Sequence, residues 1–368
     1  MEVLERPDRS LLRAVADTLL QLPYETWNFG DSVAFDAMLE VSTTLGDPTY
    51  ARFAHGWARA WATRALPHRR LDCTAPGHAM VRMSRLYNDS RLLGALVGLA
   101  DYLLSRPRIR GVFATWERSP LVQPCGPEAL DPREAALAAA APPGVFVDCL
   151  HFDPPFFTSL GELTTSEIYL RAGFEQARGY VELLQGASGL FDHFILEGEE
   201  GTFGPGWGRG QGWALLGLLD VLETAQHLRL DTQSQETVEL LSDAASKLIA
   251  AMVMLQRDDG HWYAAVNHPH SGDEYSTTAF MACGMSRALR MGVASGSSVL
   301  RGAEQARDAV LRSITAEGRL QKVSAAVMAC TRASHYQHVP TNFLVPWGQG
   351  PAILALTEAL HVSCRGGR

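Results

Sequence analysis

Apolar residues recur at steps of three and four through residues 11–22, 33–45, 50–65, 79–86 and 92–104, the period of a helix with one buried face. The same spacing returns at 156–161, 166–184, 211–228, 237–255, 276–291, 303–314 and 350–362. This predicts about twelve helices, with almost no alternating strand pattern between them. A loose echo runs through the array: G-D-P-T-Y-A-R-F-A (46–54), N-D-S-R-L-L-G-A-L (88–96) and T-T-S-E-I-Y-L-R-A (164–172) each place a turn before a helix. Asp47, Asp89 and Thr165 or Ser166 stand where an N-cap acceptor belongs. A unit of about sixty residues, taken about six times, would use the whole chain. The predicted fold class is therefore all-α, six helical hairpins that can close into an (α/α)6 barrel whose inner helix ends and loops form one pocket. An open helical solenoid shares this periodicity. Residues 107–144, with their prolines and an alanine run, break the pattern; they are expected to form a long connection over the barrel mouth, with one short exposed helix at 132–141, inside a single domain spanning 1–368.

Charge removes several partner classes. The 32 Lys and Arg against 40 Asp and Glu leave a formal net charge of −8, so neither nucleic acid nor an anionic membrane surface is expected as a partner. Uncharged apolar runs such as 92–100 reach about half of the roughly 20 residues that span a bilayer. The amino terminus, M-E-V-L-E-R-P-D-R, carries acids and a proline where a secretory signal carries basic and then apolar residues, so a cytoplasmic protein is expected. The six cysteines form no C-x-x-C pair and read as reduced core fillers. With no H-x-x-x-H, Cys/His cluster or acidic calcium-loop spacing, neither a metal nor another cofactor is expected.

Candidate chemistry gathers in loops rich in glycine, tryptophan and acid. G-P-G-W-G-R-G-Q-G-W (204–213) offers two indole faces and a guanidinium fork in Trp207, Arg209 and Trp213, suited to stacking on a sugar ring and pairing with a carboxylate; a tightly packed helix–helix turn is the structural alternative. In G-V-F-V-D-C-L-H-F-D-P-P-F-F (144–157), Asp148 sits in an apolar segment, where the pKa of an acid tends to rise into the range that suits a proton donor. Asp148 read as a helix cap, with Asp153 capping the turn before Pro154, is the alternative. Asp72 in L-D-C-T-A-P-G-H (71–78) reads, alone, as a capping aspartate. R-D-D-G-H-W-Y (257–263), D-E-Y-S-T-T-A-F (273–280) and V-P-W-G-Q-G-P-A (345–352) complete the set.

In the order of these loops the chain resembles the unsaturated uronyl hydrolases, glycoside hydrolase families 88 and 105, and is most similar to the unsaturated rhamnogalacturonyl hydrolases. W-G-R-G-Q-G-W matches their W-A-R-G-N-G-W, F-V-D-C-L (146–150) their W-x-D-T-L, and 72–77 their D-x-x-x-P-G; residues 259–262 and 274–279 match D-G-x-W and E-x-S-x-T-A. The resemblance implies an (α/α)6 barrel and a substrate bearing a C4=C5 unsaturated uronic acid at its non-reducing end, either an oligosaccharide or a smaller glycoside. It implies that Asp148 protonates C4 and helps water add at C5, after which the hemiketal opens and the rest of the substrate leaves. It makes Asp72 the second aspartate of the pocket and His193 a pocket histidine, and gives Trp207, Arg209 and Trp213 to the substrate.

Phe146 stands where the family has tryptophan, Phe29 near the pocket where it has tyrosine, and His151-Phe152-Asp153 is unusual after the catalytic aspartate, with Asp153 a candidate additional acid. These departures bear on the aglycone and admit a specialised metabolite as substrate. An inverting glycosidase on a saturated sugar would instead use Asp72 and Asp148 as a pair about 6.5–9.5 Å apart. A non-catalytic sugar-binding repeat protein would keep the aromatic loops and need no acid.

Overall fold

The protein is described by a computed structural model covering residues 9–26, 28–63, 76–114, 126–327 and 332–365. Its helices follow one another as hairpins: α1 (Arg9–Leu19) with α2 (Phe29–Leu45), α3 (Thr49–Ala62) with α4 (Gly77–Leu86), and α5 (Ser90–Leu104), then the short α6 (Pro132–Ala139), with α7 (Asp153–Thr164). After these come α8 (Glu167–Leu184) with α9 (Gly208–Ala225), α10 (Thr232–Met254) with α11 (Tyr275–Met291), and α12 (Ser297–Arg312), then the short α13 (Ala333–Tyr336), with α14 (Pro346–Arg365).

The second helix of each hairpin belongs to an inner ring. α2 packs on α4, α4 on α7, α7 on α9, α9 on α11, α11 on α14, and α14 returns to α2. That last contact closes the toroid and rules out the open solenoid. The sequence shows the difference between the rings. Every residue of α9 except Glu223 is buried, as expected of a helix covered on all sides. The outer α12 buries only a stripe: Gly302, Ala303, Ala306, Ala309 and Val310.

Caps set the starts. The side chains of Asp89 and Ser166 accept from amides in the first turns of α5 and α8, as expected, while Asn28, Asp231 and Glu274 do the same for α2, α10 and α11. Asp47 accepts from the Thr49 amide at 3.1 Å, although Pro48 occupies the cap position itself.

The long connection contains the expected short helix, α6. It also contains a two-residue hairpin, β1 (Arg108–Ile109) with β2 (Val112–Phe113), and the strand β3 (Gly144–Phe146), which pairs antiparallel with β4 (Phe194–Leu196). These strands are too short to show an alternating pattern in sequence.

Candidate active site

Because outer and inner helices alternate in direction, the inner helices all begin at one end of the ring, where the described parts of the loops preceding them also lie. Six helix N-termini at this end present the positive ends of their peptide dipoles, which favours an anionic ligand.

The pairing of β3 with β4 assembles the centre. Phe146 lies opposite Phe194, and the Val147 amide donates to the His193 carbonyl at 2.8 Å. This sets Asp148, on the 3-10 turn Val147–Leu150, beside His193: Asp148 Oδ2 is 3.6 Å from His193 Nε2. The aspartate side chain is 15% exposed and the imidazole 1%. Trp207 covers one face of the imidazole at 4.0 Å between ring centroids, and Phe146 meets it edge-on at 5.8 Å. Its Nδ1 lies 3.1 Å from the Tyr336 hydroxyl. Burial pushes the His193 pKa below its ordinary value despite the opposing pull of Asp148.

Trp207 and Tyr336 are also two walls of a cavity of about 540 Å³, whose polar side carries Asp273, Glu274, Lys322 and Ser324. Their rings lie nearly parallel, 18° apart and 6.4 Å between centroids. On the rim, Asp273 accepts from Lys322 at 2.6 Å and from Arg257 at 2.5 Å. Burial alone would raise the pKa of Asp273, but these two cations hold it below the usual carboxylate range.

The structure brings Asp148, His193, Phe146 and Trp207 together, and of these Trp207 lines the cavity, with the other three behind it. Two expectations require revision. Arg209 is 1% exposed, and its guanidinium is engaged with the protein: Nη1 donates to Ser324 Oγ at 2.7 Å and to Glu274 and Ser276 at 3.3 Å, while Nη2 donates to the Ala325 carbonyl. It sits 5.0 Å from the Trp207 ring centre and 5.9 Å from that of Trp347. Arg209 therefore braces the aromatic wall from behind, and its fork is not open to the cavity. Trp213, fully buried, packs against Phe280, His151 and Phe152 in the core and does not frame the cavity.

Phe29 is half-buried and stands against Trp347 at 4.6 Å, on the other side of the Arg209 brace. Asp153, 2% exposed, opens α7, a position that suits a helix-terminal acid, and is not among the residues lining the cavity. Asp72 lies outside the described residues. Sequence reasoning missed Tyr336, Lys322 and Trp347. Tyr336 sits in H-Y-Q-H (335–338), a segment with neither period nor motif, whereas the Trp-Gly signal around Trp347 was visible as a loop without a residue role. Among the described residues, no group of three or more His, Cys, Asp or Glu is arranged to hold a metal, and no helix is long and apolar enough to cross a membrane.

The profile of Glycosyl Hydrolase Family 88 matches residues 11–363. The chain is 23% identical over 364 residues to the unsaturated rhamnogalacturonyl hydrolase YesR of Bacillus subtilis (strain 168), a match covering 97% of each chain. Among solved structures, a possible member of GH105 family from Salmonella enterica serovar Paratyphi A superimposes with a TM-score of 0.82 at 21% identity, covering 99% of this chain and 96% of that one. The unsaturated glucuronyl hydrolase of Bacillus sp. GL1 superimposes with a TM-score of 0.66 at 16% identity, covering 95% and 96%. At these identities the structural matches establish the shared (α/α)6 barrel.

Proposed function

The chain belongs to Glycosyl Hydrolase Family 88, and from that premise we propose that it releases a C4=C5 unsaturated uronic acid from the non-reducing end of an oligosaccharide or glycoside, with Asp148 as the proton donor. The observation that carries the reading is the placing of a shielded Asp148 carboxyl against His193, whose neighbours Trp207 and Tyr336 wall the cavity. The relatives named as unsaturated rhamnogalacturonyl and glucuronyl hydrolases support the substrate class.

On this reading Asp148 transfers its proton to C4 of the vinyl ether, and positive charge develops at C5 and the ring oxygen. The carboxylate left behind stabilises that charge and takes a proton from the water that adds at C5. Ring opening of the C5 hemiketal converts C1 to a hemiacetal, which expels the aglycone with its own oxygen. His193, fixed by Trp207 and Tyr336, stands against the carboxyl of Asp148 and orients it. The inner-helix N-termini favour the anionic sugar. Any assistance from Asp72 belongs to the same proposal.

The test is incubation with unsaturated disaccharides from pectin, ulvan and glycosaminoglycan digests, following loss of the absorbance of the conjugated double bond. Turnover of at least one, with none of its saturated counterpart, is expected; release of a saturated uronide instead would replace this reading with ordinary glycoside hydrolysis.

A further inference from the structure

Between the inner helices, the ring is not filled with apolar side chains alone. A cavity of about 640 Å³ there is lined by ionisable groups from α2, α4, α9, α11 and α14. Its ion pairs run from helix to helix: Arg82 of α4 to Asp36 and Glu40 of α2, Arg287 of α11 to Asp220 and Glu223 of α9, and Arg290 of α11 to Glu358 of α14. Buried pairs recover little net stability after desolvation. This cluster, however, reaches the catalytic turn through one residue.

That residue is His151, three positions after Asp148 and 2% exposed. Its Nδ1 is within hydrogen-bond reach of Ser32 Oγ at 3.3 Å, and its Nε2 lies 3.7 Å from Asp220 Oδ2, so one buried imidazole bonds the turn to α2 and packs it against α9. Its amide donates to the Asp148 carbonyl at 3.0 Å, closing the 3-10 turn. The same Asp220 Oδ2 lies 3.8 Å from His78 Nδ1, which is also 3.6 Å from Asp36. Two glycines let α9 press against the turn. A Cβ at Gly217 would stand 2.3 Å from the Leu150 carbonyl oxygen and 2.9 Å from His151 Cα, and one at Gly210 would stand 3.1 Å from Val147 Cγ1. Both ends of the turn are thus seated on one helix, and the imidazole pins the later end.

We infer that His151 is a positioning residue: bonded to Ser32 and packed against Asp220, it fixes the 3-10 turn and with it the place of the Asp148 carboxyl. The inference rests on Asp148 being the proton donor. A displacement of about 1 Å at a reacting group can cost about 10²-fold in rate, so a small slackening of this turn is enough to matter.

The test compares His151→Leu, His151→Gln and Arg290→Met. The last breaks a pair in the same cavity without touching the turn. Expected for His151→Leu is a fall in kcat of about 10–100-fold with KM changed by less than about threefold. His151→Gln, which keeps a polar group toward the same partners, should restore most of the rate. Arg290→Met should keep its kcat even where its melting temperature falls as far. Amide exchange at His151 and Phe152 should quicken in His151→Leu and stay slow in Arg290→Met. Should His151→Leu fail to fold, Ser32→Ala removes one partner of the imidazole and carries the same comparison. Unchanged kcat in a folded His151→Leu, or parallel losses in His151→Leu and Arg290→Met, would overturn the inference. If the wild type turns over no unsaturated uronide, the functional reading fails by itself. Amide exchange then decides this inference: retained protection in His151→Leu overturns the anchoring.

Discussion

Replacing Arg209 with methionine removes a guanidinium that makes four hydrogen bonds to described residues and leaves the Glu274 carboxylate buried without this cation. Glu274 is 3% exposed, and although Ser276, Thr277 and Ser324 still donate to it, none of them neutralises its charge. Breaking a buried pair from one side costs about 3–5 kcal/mol. With an unfolding entropy of about 2.1 cal/mol/K per residue, 1 kcal/mol shifts the melting temperature of a 368-residue chain by about 1.3 °C, so Arg209→Met should melt about 4–7 °C lower. The double variant Arg209→Met/Glu274→Leu strands no charge and should lose less than the two single variants together. The assay is thermal unfolding of all four proteins, joined to kcat/KM of Arg209→Lys on an unsaturated uronide and on its methyl ester. A brace penalises both substrates alike, because what moves is Trp207. A carboxylate reader would penalise only the acid, by about 1.5–3 kcal/mol, the value of a hydrogen bond to a charged group. An undiminished melting temperature together with an acid-selective loss would refute the brace.

Asp148→Asn keeps the shape but cannot deliver a proton, and should lower kcat about 10²–10⁴-fold without unfolding the protein; near-normal turnover would remove Asp148 from the reaction. Tyr336→Phe deletes the hydroxyl facing His193 Nδ1, a contribution of about 0.5–1.5 kcal/mol, so kcat/KM should fall by up to about tenfold, and an unchanged value would mean that the hydroxyl orients nothing. Burial pushes the Asp31 carboxyl up to about 7 even though the Glu25 and Thr26 amides donate to it. Its contribution to stability is therefore full below the unfolded value near 3.8 and lost as pH rises toward 7. Asp31→Asn should flatten the decline of melting temperature across that window, whereas an identical decline in the variant would contradict the shift.

The helical ring was legible because its period is carried by many residues; the hairpins are continuous stretches in which the apolar face recurs. The starts of the inner helices were not. α7 begins with Asp153-Pro154-Pro155 and α9 with Gly208-Arg209-Gly210, residues that periodicity counts as loop, yet a first helical turn tolerates them because its amides have no partner within the helix. Asp148 and His193 were visible as motif positions, and their adjacency follows from a three-residue strand pair too short to leave a pattern. Arg209 and Trp213 misled because arginine and tryptophan in a glycine-rich loop serve a ligand or a tight packing equally well. What decides is the buried Glu274 below the one and Phe280 beside the other, partners 65 or more positions along the chain. His151 shows the same limit: its partners Ser32 and Asp220 come from helices on either side of the axis, and no local spacing announces them.

The proposed chemistry differs from every ordinary glycoside hydrolysis in where the solvent proton goes. The decisive measurement is therefore proton NMR of the reaction on an unsaturated disaccharide in deuterated water, read at early times. Protonation of the vinyl ether by Asp148 predicts that the C4 vinyl signal disappears as the aglycone is released, and that the uronate-derived product carries one deuteron at C4. Release of the aglycone with the double bond intact and C4 unlabelled would contradict the account.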